Sequence, residues 1–418
     1  MKKQKTGYHW LIVAACFLLM AVSVGILINC FGPLVPRLIE YFNTDESSIQ
    51  LIFSIAVLAN LLGGAVAGKI MSKVRMSLVM PIYAVLMSGG ILGWSYSTEL
   101  WHMYLVSLCI GIGASGVSLV PCGILINNWF KEKKGVATGI AFTGSVAGGL
   151  LFVQLTSYLV SNDFIITAGW QQAYRVLGII AAVISIPVTI FIIKGSPQEK
   201  GLYPYGAENH DESVKIEITG ISLKKFISTT SFKLLALSVF IIGFVNLGVQ
   251  NNIQVYYEGL GYTMIVASMV FSINLLVQIF GKFILGWLYD KKGIPFSQIY
   301  CLVCFIGCII LLIISRNGNN IFPYIFGALF GLVASMTTVS PPYVTAKIVG
   351  LKNYPIIFGI LSLFYGIGVA SGPLVVAALS ATAGWTLIWI VLAVLSAVMA
   401  FTMILAFKKG DGFDLLKD

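Results

Sequence analysis

One lysine stands inside an apolar run. In "NLLVQIFGKFILGWLYDKKG", Asn274 to Gly293, the polar residues Asn274, Gln278 and Lys282 recur every four positions, so on a helix they follow one another along one face. An ammonium at a bilayer centre costs about 2.5–3.5 kcal/mol to insert, so it needs a reason to be there. The chemistry it suits is capture of a small anion, a carboxylate above all, with the Gln278 amide one turn away as a second hydrogen-bonding group. The alternative is a lysine that snorkels to the headgroups. Lys282 lies eight residues before Asp290, about 12 Å of helix and roughly twice the reach of a lysine stem.

Further polar candidates are scattered through the apolar stretches: Asn29, Asn246, Gln250 and Thr338. Each could line a solute path or bond across packed helices. Chemistry that needs more than this is missing. All 16 Asp and Glu fall in loops or at span ends, and His9, His102 and His210 lie at ends or in a loop. Cys301, Cys304 and Cys308 share a helical face but have neither histidine nor acid beside them, so no metal and no cofactor is expected. A nucleophile paired with a base is equally lacking, which argues against an enzyme.

The elements that must position these groups follow from composition. Of 418 residues, 58% are hydrophobic and 10% charged, a balance that belongs to an integral membrane protein. Its mean hydropathy is +0.93. Twelve apolar stretches, each about 20 residues or more, are long enough to span a bilayer as helices. They run near 9–31, 48–68, 77–97, 101–125, 135–160, 171–194, 232–256, 264–288, 296–315, 321–346, 354–381 and 384–407. The first follows Lys2, Lys3 and Lys5 with no small-residue cleavage site, and reads as a retained helix.

With the amino terminus inside, 22 of the 26 Lys and Arg fall on the inner side; Arg37, Arg175 and Arg316 fall outside and Lys282 within a span. This is the positive-inside pattern. The net charge of +10 therefore reflects topology, with both termini cytoplasmic in a plasma membrane and lipid as neighbour; nucleic acid is not an expected partner.

The chain divides in two. Charge gathers from Gly195 to Thr230, which predicts an N-terminal six-helix bundle over 1–194, a cytoplasmic linker over 195–230 and a C-terminal six-helix bundle over 231–418. At an offset of 220, Gly111, Ala114, Ser115, Pro121 and Gly139 meet Gly331, Ala334, Ser335, Pro341 and Gly359, the mark of an internal repeat. Parallel six-helix repeats predict a rocker-switch transporter with its solute near the midplane between the halves.

Particular motifs carry a resemblance. "GWLYDKKG", Gly286 to Gly293, resembles the G-x-x-x-D-[RK]-x-G signature between spans eight and nine of the major facilitator superfamily. The resemblance implies an all-α membrane protein of twelve transmembrane helices in two six-helix bundles. It also implies a conformational latch from Gly286, Asp290, Lys291 and Gly293, the acid meeting a neighbouring helix start. The first copy, "GKIMSKVR", has Ser72 in place of the acid and Val74 in place of the glycine.

"GYHWLIV" at Gly7 and "GIGASGVSLVPCGILINNWFKEKKGVATG" at Gly111 are similar to the monocarboxylate transporter and oxalate:formate antiporter group. That group places a carboxylate-holding arginine in span eight, four residues before the glycine of the signature, and Lys282 stands there. Gln278 stands where animal-type carriers have aspartate. Tyr365 stands where the oxalate carrier has a second cation in span eleven, so one cation in place of two favours a singly charged acid. The expected function is secondary active transport of a small monocarboxylate such as lactate, pyruvate or formate, by a monomer. Proton symport, exchange for another anion and uniport all remain open. The alternative is proton-coupled efflux of hydrophobic compounds or drugs, since "GSVAGG", Gly144 to Gly149, partly resembles a span-five motif of drug antiporters, with Ser145 where that motif has proline.

Overall fold

The computed structural model describes residues 7–71, 73–161, 169–206, 221, 223–318, 321–350 and 354–410; Ser72, His210 and the centre of the expected linker lie outside them. The described backbone is helical almost throughout. Amides in hydrocarbon must bond within their own segment, and a helix achieves this.

The first unit comprises Met1–Asp45 and Leu51–Val214. Its elements are α1 (Gly7–Val24) continued by a π turn to Asn29, α2 (Phe31–Phe42), α3 (Glu46–Met71), α4 (Met76–Trp94), α5 (Leu100–Ser115), α6 (Leu119–Trp129), α7 (Lys134–Ser161) and α8 (Gly169–Pro187). The second comprises Glu46–Gln50 and Lys215–Asp418. It holds α9 (Leu223–Ile227), α10 (Thr230–Gly259), α11 (Met264–Ile314), α12 (Ile321–Ala334), α13 (Met336–Val349), α14 (Tyr354–Ala383) and α15 (Trp385–Gly410). Helix α3 changes unit between Gln50 and Leu51.

Eleven of the described helical stretches are long and apolar enough to cross a membrane. One of them, α11, has 51 residues, about 77 Å at 1.5 Å per residue, too long for one crossing of a hydrocarbon core about 30 Å thick. It breaks at Gly293, whose φ of 78° and ψ of 177° leave the helix, so α11 supplies spans eight and nine and the total is twelve. Caps mark other starts: the Thr229 and Thr263 side chains accept from the Phe232 and Val266 amides. His102 serves a capping box with Glu99 at the start of α5.

The internal repeat is visible as repeated contacts. A side chain on Gly111 of α5 would strike the Ala56 carbonyl of α3, and one on Gly331 of α12 would come within 2.5 Å of the Asn274 carbonyl of α11. Gly63 of α3 abuts Ser115, and Gly281 of α11 abuts Ser335. On these two pairs of helices the residues correspond at offsets of 218 and 220. An equivalent correspondence, at offsets of 223 and 224, relates α1 with α7 and α10 with α14: Gly144 and Gly148 lie on the Phe17 and Ala21 carbonyls, Gly368 and Gly372 on those of Phe240 and Phe244. Small residues let backbones close up where lipid gives no hydrophobic drive. Gly144–Gly149, the stretch resembling a drug-antiporter motif, is thus part of a packing seam in the first unit.

Two features depart from the expected loops. Residues 31–42 form α2, which buries Phe31, Leu34, Val35 and Leu38 at helical spacing and ends at Asn43 in the left-handed region, φ 46°. A single apolar stripe of three turns is too short and too polar on its other face to register as a span. The first residues of the expected linker pack on the first unit: Tyr205 N donates to Trp129 O (2.8 Å) and Lys131 N to Tyr205 O (2.9 Å). Trp129 Nε1 donates to Lys194 O (2.8 Å) and Asn128 Nδ2 to Gly195 O (2.9 Å).

Candidate functional site

Lys282 lies on span eight, the first part of α11, and burial along this helix has two sides. Leu276, Phe280, Phe283 and Trp287 are exposed large apolar side chains, Phe283 at 74%, and form one face. On the other, Phe271, Leu275, Gln278, Lys282, Leu285 and Tyr289 follow one another at spacings of four and three, all buried or half-buried. Lys282 is therefore turned away from the lipid-like face. Among the described residues it has no ion pair and no hydrogen bond. A half-buried ammonium with no counter-ion, one turn from an amide, has the chemistry to attract an anion.

The neighbouring elements bring part of the expected set together. Gly281, adjacent to Lys282, packs on Leu332 and Ser335, where α12 gives way to α13. Two residues beyond Ser335, the Thr337 hydroxyl is a hydrogen-bond neighbour of the Tyr365 hydroxyl on α14. Tyr365 in turn lies against Gly243 of α10. The break between α12 and α13 thus links the Lys282 turn to Tyr365. Thr338, the residue expected there, is exposed and bonds back to Ser335 O at 3.3 Å; Thr337 is the one that reaches α14. The break decides which of two adjacent threonines points inward, and hydropathy carries no sign of it.

The remaining candidates separate. Asn274 is buried, its backbone carbonyl against Gly331 and its Oδ1 without a partner among the described residues. Asn246, one turn from Gly243, is buried with Nδ2 likewise unbonded. Gln250 is buried on the same helix, two turns from Gly243. Asn29 belongs to the first unit, where its Nδ2 donates to Ser145 O of α7 at 3.3 Å; it ties two helices together.

The expected latch takes a different form. Gly286 to Lys292 is helix, and only Gly293 ends it. Asp290 accepts from the Tyr343 hydroxyl (3.2 Å) in the middle of α13, not from a helix start. Lys291 is exposed. Below Lys282 the same stripe ends in a network that sequence reasoning missed. Tyr289 Oη donates to Ser340 Oγ (2.6 Å), Gln298 Nε2 donates to Tyr289 Oη (2.6 Å), and the Tyr289 and Tyr343 rings stack at 4.6 Å. Tyr289 and Ser340 are 51 residues apart, beyond any local pattern. Among the described residues no group of three or more His, Cys, Asp or Glu side chains gathers in metal-ligand fashion.

Comparison with known proteins is consistent with this architecture. A family model described as Major Facilitator Superfamily matches residues 17–350. The chain is similar to monocarboxylate transporter 12 of Homo sapiens, at 22% identity over 90% of this chain and 76% of that protein. It is similar also to monocarboxylate transporter 11 of Homo sapiens, at 23% identity over 87% and 71%. Among solved structures, a bacterial homologue of the human lysosomal transporter Spinster superposes with a TM-score of 0.74 at 13% identity over 98% of each chain. The nucleoside transporter NupG does so with a TM-score of 0.74 at 13% identity, over 96% of this chain and 100% of that one. At such identity the structural likeness shows the fold alone.

Proposed function

Because this chain belongs to the Major Facilitator Superfamily, we propose that it carries a small organic monoanion, a monocarboxylate such as lactate, pyruvate or formate, by alternating access across the plasma membrane. It is a multi-pass membrane transporter and not an enzyme. The observation that carries the finer reading is Lys282: a half-buried ammonium on the inward stripe of span eight, with Gln278 one turn away and no counter-ion among the described residues. A carboxylate supplies the missing charge and accepts from both groups. Solute that binds one arrangement of the carrier better than another shifts the population between them, and this is the step that moves it.

The relatives whose names state monocarboxylate transport resemble this chain over most of its length, which supports the same solute class. The efflux alternative rested on the Gly144–Gly149 motif, and those glycines are engaged in packing against α1.

The test is uptake of a panel of labelled monocarboxylates and dicarboxylates into proteoliposomes, with and without a pH gradient. Uptake of monocarboxylates that is lost in Lys282→Gln at unchanged reconstitution supports the reading, and uptake retained in that variant sinks the role of Lys282. Lys282→Arg restores a fixed planar cation; transport that survives in it without its dependence on pH assigns the titration to the lysine.

A further inference from the structure

The expected linker is held at both of its ends, and in each unit it is held by the end of the same helix of the repeat. In the first unit α6 stops at Trp129, and Phe130 continues in extended backbone, φ −124° and ψ 128°. The last carbonyls of a helix have no partner within it. Tyr205 supplies one: its N–H donates to Trp129 O (2.8 Å), and Tyr205 O accepts from the Lys131 and Glu132 amides (2.9 and 3.1 Å). In the second unit α13 stops at Val349, and Ile221 N donates to Val349 O (3.0 Å). Positions 129 and 349 differ by 220, the offset that relates Pro121 to Pro341 on the same two helices.

The surroundings repeat as well. Asn128 Nδ2 donates to Gly195 O (2.9 Å), where the chain leaves the sixth span. A Cβ on Gly410, at the end of α15, would lie 2.5 Å from Ile348. Asn128 and Ile348 again differ by 220, and Gly195 and Gly410 by 215, the offset that relates Trp170 to Trp385. Beyond Gly195 the chain turns back onto the first unit. His9 Nε2, on a fully buried ring, donates to Tyr203 O (2.9 Å). Trp129 Nε1 donates to Lys194 O and Tyr8 Oη to Ile192 O, both at 2.8 Å. The Lys200 and Lys133 ammoniums lie over the Tyr8 and Tyr205 rings, 5.3 and 5.7 Å from their centroids. At the other end of the linker, Ile221 and Phe226 are buried in the second unit, where Phe226 meets Phe232 edge-on at 5.6 Å.

We propose that the linker is a strap with two independent seats, repeat-equivalent carbonyls at the ends of α6 and α13. Residues 192–206 clamp together the linker-side ends of α1, α6 and the sixth span, and residues 221–226 clamp that end of α13. A chain that served only to connect would need no backbone pairing at either end. Parting the start of α1 from the end of α6 breaks either the His9–Tyr203 or the Tyr205–Trp129 bond, so the strap sets how readily that end of the first unit loosens. This role goes beyond the proposed transport activity and does not depend on which solute is carried.

The test is hydrogen exchange on the purified full-length protein with no solute present. In the wild type the amides of Lys131, Glu132, Tyr205 and Ile221 are expected to exchange well below their intrinsic rates. Tyr205→Pro removes the donor to Trp129 O; it is expected to raise exchange at Lys131 and Glu132 roughly tenfold while Ile221 stays protected. Trypsin cleavage after Lys200, an exposed residue of the strap, is expected to quicken in the same variant. Ile221→Pro removes the donor to Val349 O; it is expected to raise exchange at Gly350, which bonds to Ala346 O at that helix end (3.1 Å), and to leave Lys131, Glu132 and Tyr205 protected. Tyr205→Phe keeps the N–H and the ring and is expected to match the wild type. Wild-type amides that exchange at intrinsic rates, a proline at one seat that loosens both alike, or no change in either proline variant overturns the proposal. The wild-type measurement needs no variant, so a proline variant that fails to fold still leaves the seats open to refutation.

Discussion

Adding one methyl group at Gly331 puts the packing between spans eight and ten to a direct test. A Cβ there would lie 2.5 Å from the Asn274 carbonyl oxygen and 2.9 Å from Val277 Cβ. Carbon contacts are ordinarily about 3.5–4.0 Å, so the helices must part by roughly 0.6–1 Å. Both obstacles are backbone or Cβ atoms, which cannot turn aside. Overpacking of this kind costs about 1–3 kcal/mol, which for a chain of this length lowers a thermal midpoint by roughly 1–3 °C. The matched control is Gly359→Ala, at another glycine of the same sequence repeat, where nothing lies within 4 Å of the added Cβ. There alanine gains up to about 1 kcal/mol of helix propensity, so the midpoint should hold or rise. The assay is the thermal midpoint of each purified variant in detergent, together with uptake in proteoliposomes, since the displaced turn carries Gln278 and leads to Lys282. Equal midpoints for Gly331→Ala and Gly359→Ala would refute the close approach of these two helices.

Two further predictions concern the lower end of the same helix. Tyr289→Phe should cost about 1–3 kcal/mol, because it strips a partner from Gln298 and from Ser340, both fully buried; Tyr343→Phe, whose partner Asp290 is exposed, should cost less than about 1 kcal/mol, and chemical or thermal unfolding separates the two. Gly293→Ala should destabilise by about 1–3 kcal/mol, since its φ of 78° and ψ of 177° belong to a region that only glycine adopts readily. Gly286→Ala, with open space around its Cβ, should hold or raise the midpoint as Gly359→Ala does, which would assign the two signature glycines different roles.

Much of the fold was legible because membrane insertion is governed by local quantities. Each span must be apolar over about 20 residues and must satisfy its own backbone, so hydropathy locates the spans without knowledge of their neighbours. The repeat was legible for a related reason. Gly111 and Gly331 are required by the same close approach in each copy, and a required glycine leaves a trace in the sequence. Lys282 drew notice because a cation in an apolar run is costly wherever that run packs.

What was not legible depends on direction and distance. Thr337 and Thr338 are adjacent and identical in type, and only the turn between α12 and α13 sets one toward Tyr365 and leaves the other exposed. Helix α2 escaped notice because it is amphipathic and short. Gln50 and Asn251, 201 residues apart in the chain, meet in a buried amide cluster that no local pattern announces.

The amino-acid sequence by itself determined the twelve crossings, the duplication, the family and the one cation within a span, all of which rest on transfer energies and local spacing. Tertiary structure alone decided which face of span eight Lys282 occupies, that Asp290 meets Tyr343, and that Gln50 meets Asn251 and Asn252. Burial and hydrogen-bond partnership are properties of atoms brought together from distant parts of the chain, and no local pattern encodes the meeting.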